Sequence, residues 1–346
     1  MTSELLELQA VARKMLADSA SWSALADAGW PGLEVAAELG GSGVTFAETA
    51  VLLQEMGRSA AANPYFGTVA LGVGALNLLA RPDTGEWLAA IAAGELRVAV
   101  ALPAGDSTDL SLQLVREGRS LRLSGSADFV MDAAQTGRLL VAARTSEGEP
   151  VMVALTPAQP GVQIAEQPVV DATRSFGVVT ASAAPVNADA VWSFRADPER
   201  SLRLLLDRGA LAVACDCLGL AEAMLDATVA YAGVRQQFGR YIGSFQAVKH
   251  QCADMLVQIT IGRELLAAAV VATVADEHDS WVAVSMAKSF LGTLAVDVAG
   301  KAMQLHGGFG YTWESGVHTY LKRAVLNRAL FGSPAAHRAR LATRYP

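Results

Sequence analysis

Arg235-Gln236-Gln237-Phe238-Gly239-Arg240-Tyr241-Ile242-Gly243-Ser244-Phe245-Gln246 lies between two long apolar runs. Upstream, Pro198-Glu199 opens a run to about Val234 that is apolar over most of its circumference, as a helix inside a bundle must be. Downstream, helical spacing predicts further helices from about Phe245 to Asp276, Trp281 to Leu305 and His318 to Leu330. Arg235 closes the first helix, where a cation suits the negative end of the helix dipole. Its planar fork can also grip a phosphate pair in two places. On spacing alone the plainer reading is a helix connection with a capping arginine, turned at Gly239 and Gly243.

A second segment, Gln304-Leu305-His306-Gly307-Gly308-Phe309-Gly310-Tyr311-Thr312, ends the third of these helices. Three glycines in four positions leave backbone amides open to a flat or anionic ligand. Glycines also end helices, so the signal alone is weak. A histidine beside a helix terminus is more often structural, and His306 is given no catalytic role.

Outward from these segments the pattern changes twice. Residues 96 to about 195 carry strand-length runs: Arg97 to Leu102, Leu139 to Ala142 and Val151 to Leu155. Leu112 and Leu114 on one side, Leu121 and Leu123 on the other, flank the turn signal Glu117-Gly118-Arg119 as in a hairpin. Closely spaced short strands suggest a compact barrel or sandwich. Residues 3 to about 95 read mostly as helices, and Thr45 with Glu48 forms a capping box. The expected domains are a helical region over 1–95, a β domain over 96–197 and a helical bundle over 198–346.

Composition narrows the function classes. The 346 residues are 52% hydrophobic and 18% charged, which rules out general disorder. Lys and Arg number 27 against 34 Asp and Glu, a net charge of −7, so there is no basic excess for nucleic acid. Cys215, Cys217 and Cys252 cannot build a disulfide framework and read as small buried residues in a reducing, cytoplasmic setting. The histidines lack ligand spacing, so no metal is expected. Glu4 and Glu7 argue against a signal peptide. Ser59 to Ala80 carries no charge, but its Asn, Pro and Gly residues break it, and a loop followed by a buried helix is expected rather than a membrane span.

Taken together, the two segments resemble the acyl-CoA dehydrogenase family. The stretch from Tyr231 to Met255, with Phe245-Gln246 and Ala253-Asp254-Met255, is similar to the family's signature, and so is Gln304 to Arg323. Gly29-Trp30 and Gly40-Gly41-Ser42-Gly43 are similar to its N-terminal domain. The resemblance implies an α+β multidomain fold: an N-terminal helical domain, a middle β-barrel and a C-terminal four-helix bundle. It implies FAD bound at a subunit interface and oxidation of an acyl-CoA thioester to the α,β-enoyl thioester. By the same resemblance, Arg235, Gln237 and Phe238 would contact the pyrophosphate side of FAD held by the neighbouring subunit. Phe245, Gln246, Gln304, Leu305, His306, Gly307 and Gly308 would line its adenosine end.

The chain departs from the family pattern at the base. Where many members carry Glu beside Gly-Thr, this chain reads Leu330-Phe331-Gly332-Ser333-Pro334, and the family's second base position falls at Gly209. Neither Phe331 nor Gly209 can take a proton. Asp216, two helical turns beyond Gly209, is the candidate catalytic base; the alternative is an Asp paired to an Arg of a neighbouring helix. On the flavin-ring side, Leu102 to Asp106 and Phe129 to Asp132 stand where the family presents its ring contacts, with Met131 in place of a hydroxyl. A degraded half-site beside a complete one implies a hetero-oligomer, a dimer or tetramer with a homologous subunit, some relatives of this short type acting on steroid side-chain thioesters. Self-association, a non-catalytic scaffold subunit completing a partner's FAD site, and a flavin-free CoA-thioester binder are the alternatives. An electron-transfer acceptor is the expected redox partner. Glu314 and Arg323 are assigned structural roles, and His318 and His337 surface or interface positions.

Overall fold

The structure, a computed structural model, describes residues 2–17, 21–81, 83–118 and 120–344, so Arg119 of the expected hairpin turn lies outside the described residues. The chain forms two compact units. One comprises Ala20–Thr49 and Ala62–Gly209; the other comprises Met1–Ser19, Ala50–Ala61 and Ala210–Pro346.

In the first unit, helix α2 (Trp22–Asp27) precedes the capping box, where the Thr45 amide and hydroxyl both donate to Glu48 Oε2, at 3.1 and 3.0 Å. The uncharged stretch becomes a loop followed by a wide π-helical segment, Phe66–Val73, buried throughout, which runs into α4 (Gly74–Leu78) and is followed by α5 (Asp83–Ala92). Glu34 accepts both terminal nitrogens of Arg208, at 2.9 and 2.6 Å, and the Thr49 hydroxyl at 2.5 Å. A side chain at Gly74 would run into the Arg208 guanidinium, so glycine is required there. Burial and the Glu34 charge hold the phenol of Tyr65 far above its ordinary range, and its hydroxyl donates to the Trp30 carbonyl at 3.3 Å.

Eight strands follow: β1 (Val98–Ala101), β2 (Gln113–Glu117), β3 (Ser120–Met131), β4 (Arg138–Thr145), β5 (Pro150–Leu155), β6 (Val162–Glu166), β7 (Phe176–Val186) and β8 (Val191–Trp192). They hydrogen-bond in the order β6-β7-β3-β2-β4-β5-β8, with β1 parallel to β4. The expected hairpin is present, with Leu114 opposite Leu123. Among the described residues the hydrogen-bonded path is open, ending at β6 and β8, and β2 meets β4 over two residue pairs. Alternating side chains of these strands, Leu123, Val141, Val153 and Val179 among them, fill one apolar core.

Asp132 ends β3 in the left-handed region, with φ of 57°, and a Cβ on Gly67 would lie 2.8 Å from its Oδ2. Burial pushes this carboxyl up to about 7, and the charges of Arg174 and Arg97 pull it down only in part.

In the second unit, α1 (Ser3–Ala17) and the later part of α3 (Phe46–Arg58) join the bundle helices. The N-terminal helices thus contribute to both units. The cause is a set of polar ties: Arg13 donates to Glu55 at 3.0 and 2.7 Å, Gln54 to Glu222 at 3.0 Å, and the Tyr320 hydroxyl to the Arg58 carbonyl at 2.9 Å. Side chains at Gly57 or Gly219 would strike the backbones of Asp216 and Gln54, so the two glycines let α3 and the long helix touch.

That long helix, α6, runs Pro198–Val234; α7 spans Gln246–Val274, α8 Ser280–His306, α9 Val317–Ala329 and α10 Pro334–Ala342. The first four follow the sequence expectation to within two residues, since each carries a continuous apolar stripe. Two short strands, β9 (Gln236–Gln237) and β10 (Arg240–Tyr241), make a small hairpin after α6. By length and composition alone α7 and α8 could each cross a membrane; the apolar run of α8 is mostly buried in the bundle, whereas α7 keeps Leu256, Val257, Ile261 and Val271 in solvent. Cys215 and Cys217 are buried as expected, but Cys252 is half-buried on α7. His337 is buried rather than at the surface: its Nε2 donates to the Phe331 carbonyl at 2.9 Å, and its Nδ1 accepts from Ser285 at 3.2 Å.

Asp216 lies in the middle of this unit. Arg323 Nε donates to its Oδ2 at 2.9 Å and Nη2 to its Oδ1 at 2.5 Å; the Asn327 amide donates to Oδ2 at 2.5 Å. Arg323 Nη1 donates to the Ala61 carbonyl at 2.9 Å. The Arg323 and Asp216 side chains are only 3% and 1% exposed.

Two outcomes are expected. Replacing Arg323 by Met strands a buried carboxylate and should lower the unfolding free energy by about 3–5 kcal/mol, read by urea denaturation. Asp132, held protonated in the fold and ionised when unfolded, contributes stability that is full below its ordinary value of 3.8 and is lost as pH rises through about 7. The Asp132→Asn protein should therefore show a flatter thermal midpoint between pH 4 and 8 than the parent protein.

Candidate functional site

The two sequence segments meet at one cavity of about 600 Å³ in the bundle unit. Tyr231, Arg235, Gln237 and Ile242 line it from the end of α6 and the small hairpin; Leu305, His306, Gly307, Gly308 and Phe309 line it from the end of α8. The hairpin is pinned where the Ile242 amide donates to the Arg235 carbonyl at 2.8 Å. Gly239, at φ of 75°, supplies the left-handed turn residue that a side chain would strain.

At the end of α8, Gly307 takes φ of 58°, and its amide donates to the Gln304 carbonyl. Nothing lies within 4 Å of where a Cβ would stand on Gly307 or Gly308, so both backbones can be approached closely. His306 Nδ1 donates to the Ala302 carbonyl at 2.7 Å, which fixes the ring. The His306 ring stacks on Tyr231, centroids 4.4 Å apart, and Tyr231 stacks on Phe309 at 5.7 Å.

Six of the ten residues expected to hold the cofactor therefore face one cavity: Arg235, Gln237, Leu305, His306, Gly307 and Gly308. Phe238 is 92% exposed and meets Phe245 edge to face at 6.2 Å, while Arg240 sits over the Phe245 ring at 4.0 Å. These two, with exposed Gln246 and Gln304, stand outside the cavity lining. Tyr231 and Phe309 are lining residues to which the sequence reading gave no role. Their signal was present: Tyr231 precedes Arg235 by one helical turn, so both share a face. A second cavity of about 610 Å³ lies between α7 and α8, where Asp254, Asp297, Lys301 and Arg338 rim Met255, Phe290 and Leu294; neither segment reaches it.

The donor set of the first cavity fits the nucleotide end of a flavin dinucleotide: a guanidinium for diphosphate, an amide, and open glycine backbone for close approach. The strand end expected to face the flavin ring fits less well, since Met131 is buried and offers no hydroxyl.

The base positions differ from the expectation for Asp216. Both of its oxygens are engaged by Arg323, and Asn327 takes a further lone pair, so this carboxylate has the geometry of the ion-pair reading and not of a free base. Phe331 is buried at a left-handed corner, φ 52°, whose next carbonyl accepts from buried Lys288 at 2.7 Å. Gly209 is buried. None of the three supplies an unpaired carboxylate.

Comparison with known proteins agrees with this geometry. Residues 200–345 match the family described as acyl-CoA dehydrogenase, C-terminal domain, and residues 3–95 the acyl-CoA dehydrogenase, N-terminal domain. The chain is 33% identical over 319 residues to the acyl-CoA dehydrogenase IpdE2 of Mycobacterium tuberculosis, covering 92% of this chain and 84% of that protein. Among solved structures, the Tcur3481-Tcur3483 steroid ACAD superposes with a TM-score of 0.89 at 28% identity, covering 98% of this chain and 97% of that one. The ChsE4-ChsE5 complex from Mycobacterium tuberculosis has the same fold, with a TM-score of 0.91 at 24% identity over 100% of this chain and 98% of that one. The chain belongs to the acyl-CoA dehydrogenase family, enzymes whose cofactor is FAD.

Proposed function

We propose that this chain is one subunit of an oligomer that carries out FAD-dependent α,β-dehydrogenation of an acyl-CoA thioester, with FAD sites shared between chains. The observation that carries the reading is an asymmetry. Arg235, Gln237 and Gly307-Gly308 line one cavity suited to a nucleotide, whereas the two base positions hold Phe331 and Gly209 and the nearby Asp216 is bound to Arg323. In a homo-oligomer every site would lack the base. A homologous subunit can supply both base and ring contacts while this chain grips the nucleotide end.

FAD held here would supply the acceptor for the hydride that leaves the substrate's β-carbon. This chain's part is to hold: Arg235 neutralises diphosphate charge, and the glycine amides accept close approach. The exposed apolar side chains of α7 give a face suited to another chain. The steroid ACAD and ChsE4-ChsE5 neighbours support a two-component assembly and a bulky side-chain thioester as substrate. An electron-transfer acceptor would reoxidise the assembly, and the cytoplasm is its proposed compartment. The same missing base favours a second reading, a scaffold subunit that completes the partner's FAD site and has no turnover of its own.

Expression alone and together with a homologous acyl-CoA dehydrogenase subunit tests the shared site that both readings require. Flavin and acyl-CoA oxidation should be found with the pair and be absent from the chain alone. Full turnover by the chain alone rejects the shared-site proposal. In the assembled pair, Arg235→Ala should weaken FAD retention about tenfold, the worth of one charge-assisted bond, measured by flavin absorbance per chain after gel filtration.

A further inference from the structure

We propose that Tyr231 is a positioning residue for the nucleotide end of FAD, acting through the ring column it forms with His306 and Phe309. The inference rests on the reading of the cavity given above and adds a residue to it.

Tyr231 stands in the last turn of α6, and its carbonyl accepts from the Arg235 amide at 2.9 Å. The two side chains are one turn apart on the same helical face, and both line the cavity. The Tyr231 ring is nearly parallel to both partners, 20° from His306 and 6° from Phe309. Its contacts tie three parts of the site together: the Arg235 helix end, the His306 ring fixed by Ala302, and the turn that carries Gly307 and Gly308.

Backbone hydrogen bonds brace this turn at both ends: the Gly307 amide donates to the Gln304 carbonyl before it, and a short 3-10 helix runs over Gly307–Tyr311. Thr312 donates its amide and its hydroxyl to the Phe309 carbonyl, at 3.0 and 2.8 Å, which holds the backbone beyond the glycines. The open backbone of Gly307 and Gly308 has no side chain of its own to fix it. The ring column supplies that support. Phe309 lines the cavity and keeps 41% of its surface exposed, so the column presents an aromatic wall to whatever enters. A base stacked on such a wall gains affinity from the overlap of its ring with the side-chain rings. The ligand chemistry is thus an aromatic base joined to a diphosphate, with the arginine one helical turn from the wall.

The test compares FAD with FMN, which lacks the adenylate half. Flavin-stripped protein, assembled as it is purified, is reloaded with each flavin and followed by flavin fluorescence. Tyr231→Leu should weaken FAD about tenfold or more and leave FMN within about twofold, while Tyr231→Phe, which keeps the ring, should bind FAD as the parent does. Phe309→Leu, at a position 41% exposed, should repeat the FAD-selective loss and keeps the test decisive if Tyr231→Leu does not fold. Equal losses for FAD and FMN, or unchanged FAD binding by both Leu variants, would overturn the role of the column. Failure of Arg235→Ala to weaken FAD in the same assay would instead overturn the reading of the cavity.

Discussion

The bundle unit is organised around a buried bidentate pair, Arg323 with Asp216, extended by Asn327 and the Ala61 carbonyl. Two charges this deeply buried are tolerable only because nearly every lone pair and proton among them is used. The pair fixes α9 against α6 in rotation and height. Gly57 and Gly219 then allow α3 to lie on α6 without side chains between the backbones. Held in this way, α6 delivers Tyr231 and Arg235 at its far end to the corner where α8 stops at Gly307.

The ion pair also bears on chemistry. Arg323 holds both oxygens of Asp216 and Asn327 takes a further lone pair, so its acceptor sites face other side chains of this chain and not a substrate proton. The chain thus gathers Arg235 and Gly307-Gly308 at one cavity and has no unpaired carboxylate at its three candidate base positions. The corner at Phe331 keeps its strained backbone and its two supports, Lys288 and His337, although its side chain can carry no proton. A left-handed non-glycine residue costs about 1–2 kcal/mol, so the shape of the corner is maintained against its own preference.

Much of this was legible beforehand for a simple reason. Long helices with continuous apolar stripes announce themselves, and α6 to α9 fall where periodicity puts them. The Thr45–Glu48 box and the Leu114–Leu123 pairing are local devices readable from spacing. The convergence of the 235–246 and 304–312 segments was readable only through family resemblance. Spacing alone favoured a capped turn, because nothing local says that two segments some 60 residues apart share a cavity.

By itself the sequence determined the order of helical, β and helical regions, the absence of a carboxylate at Phe331 and Gly209, and the chemistry of the two segments. These follow from residue identity and period, which need no partner in space. Tertiary structure alone decided that Asp216 is paired, that His337 is buried beneath Phe331, that the first helices divide between two units, and that Tyr231 joins His306 and Phe309. Each of these depends on which distant side chain arrives within bonding distance, and that is set by helix crossings, not by any pattern along the chain.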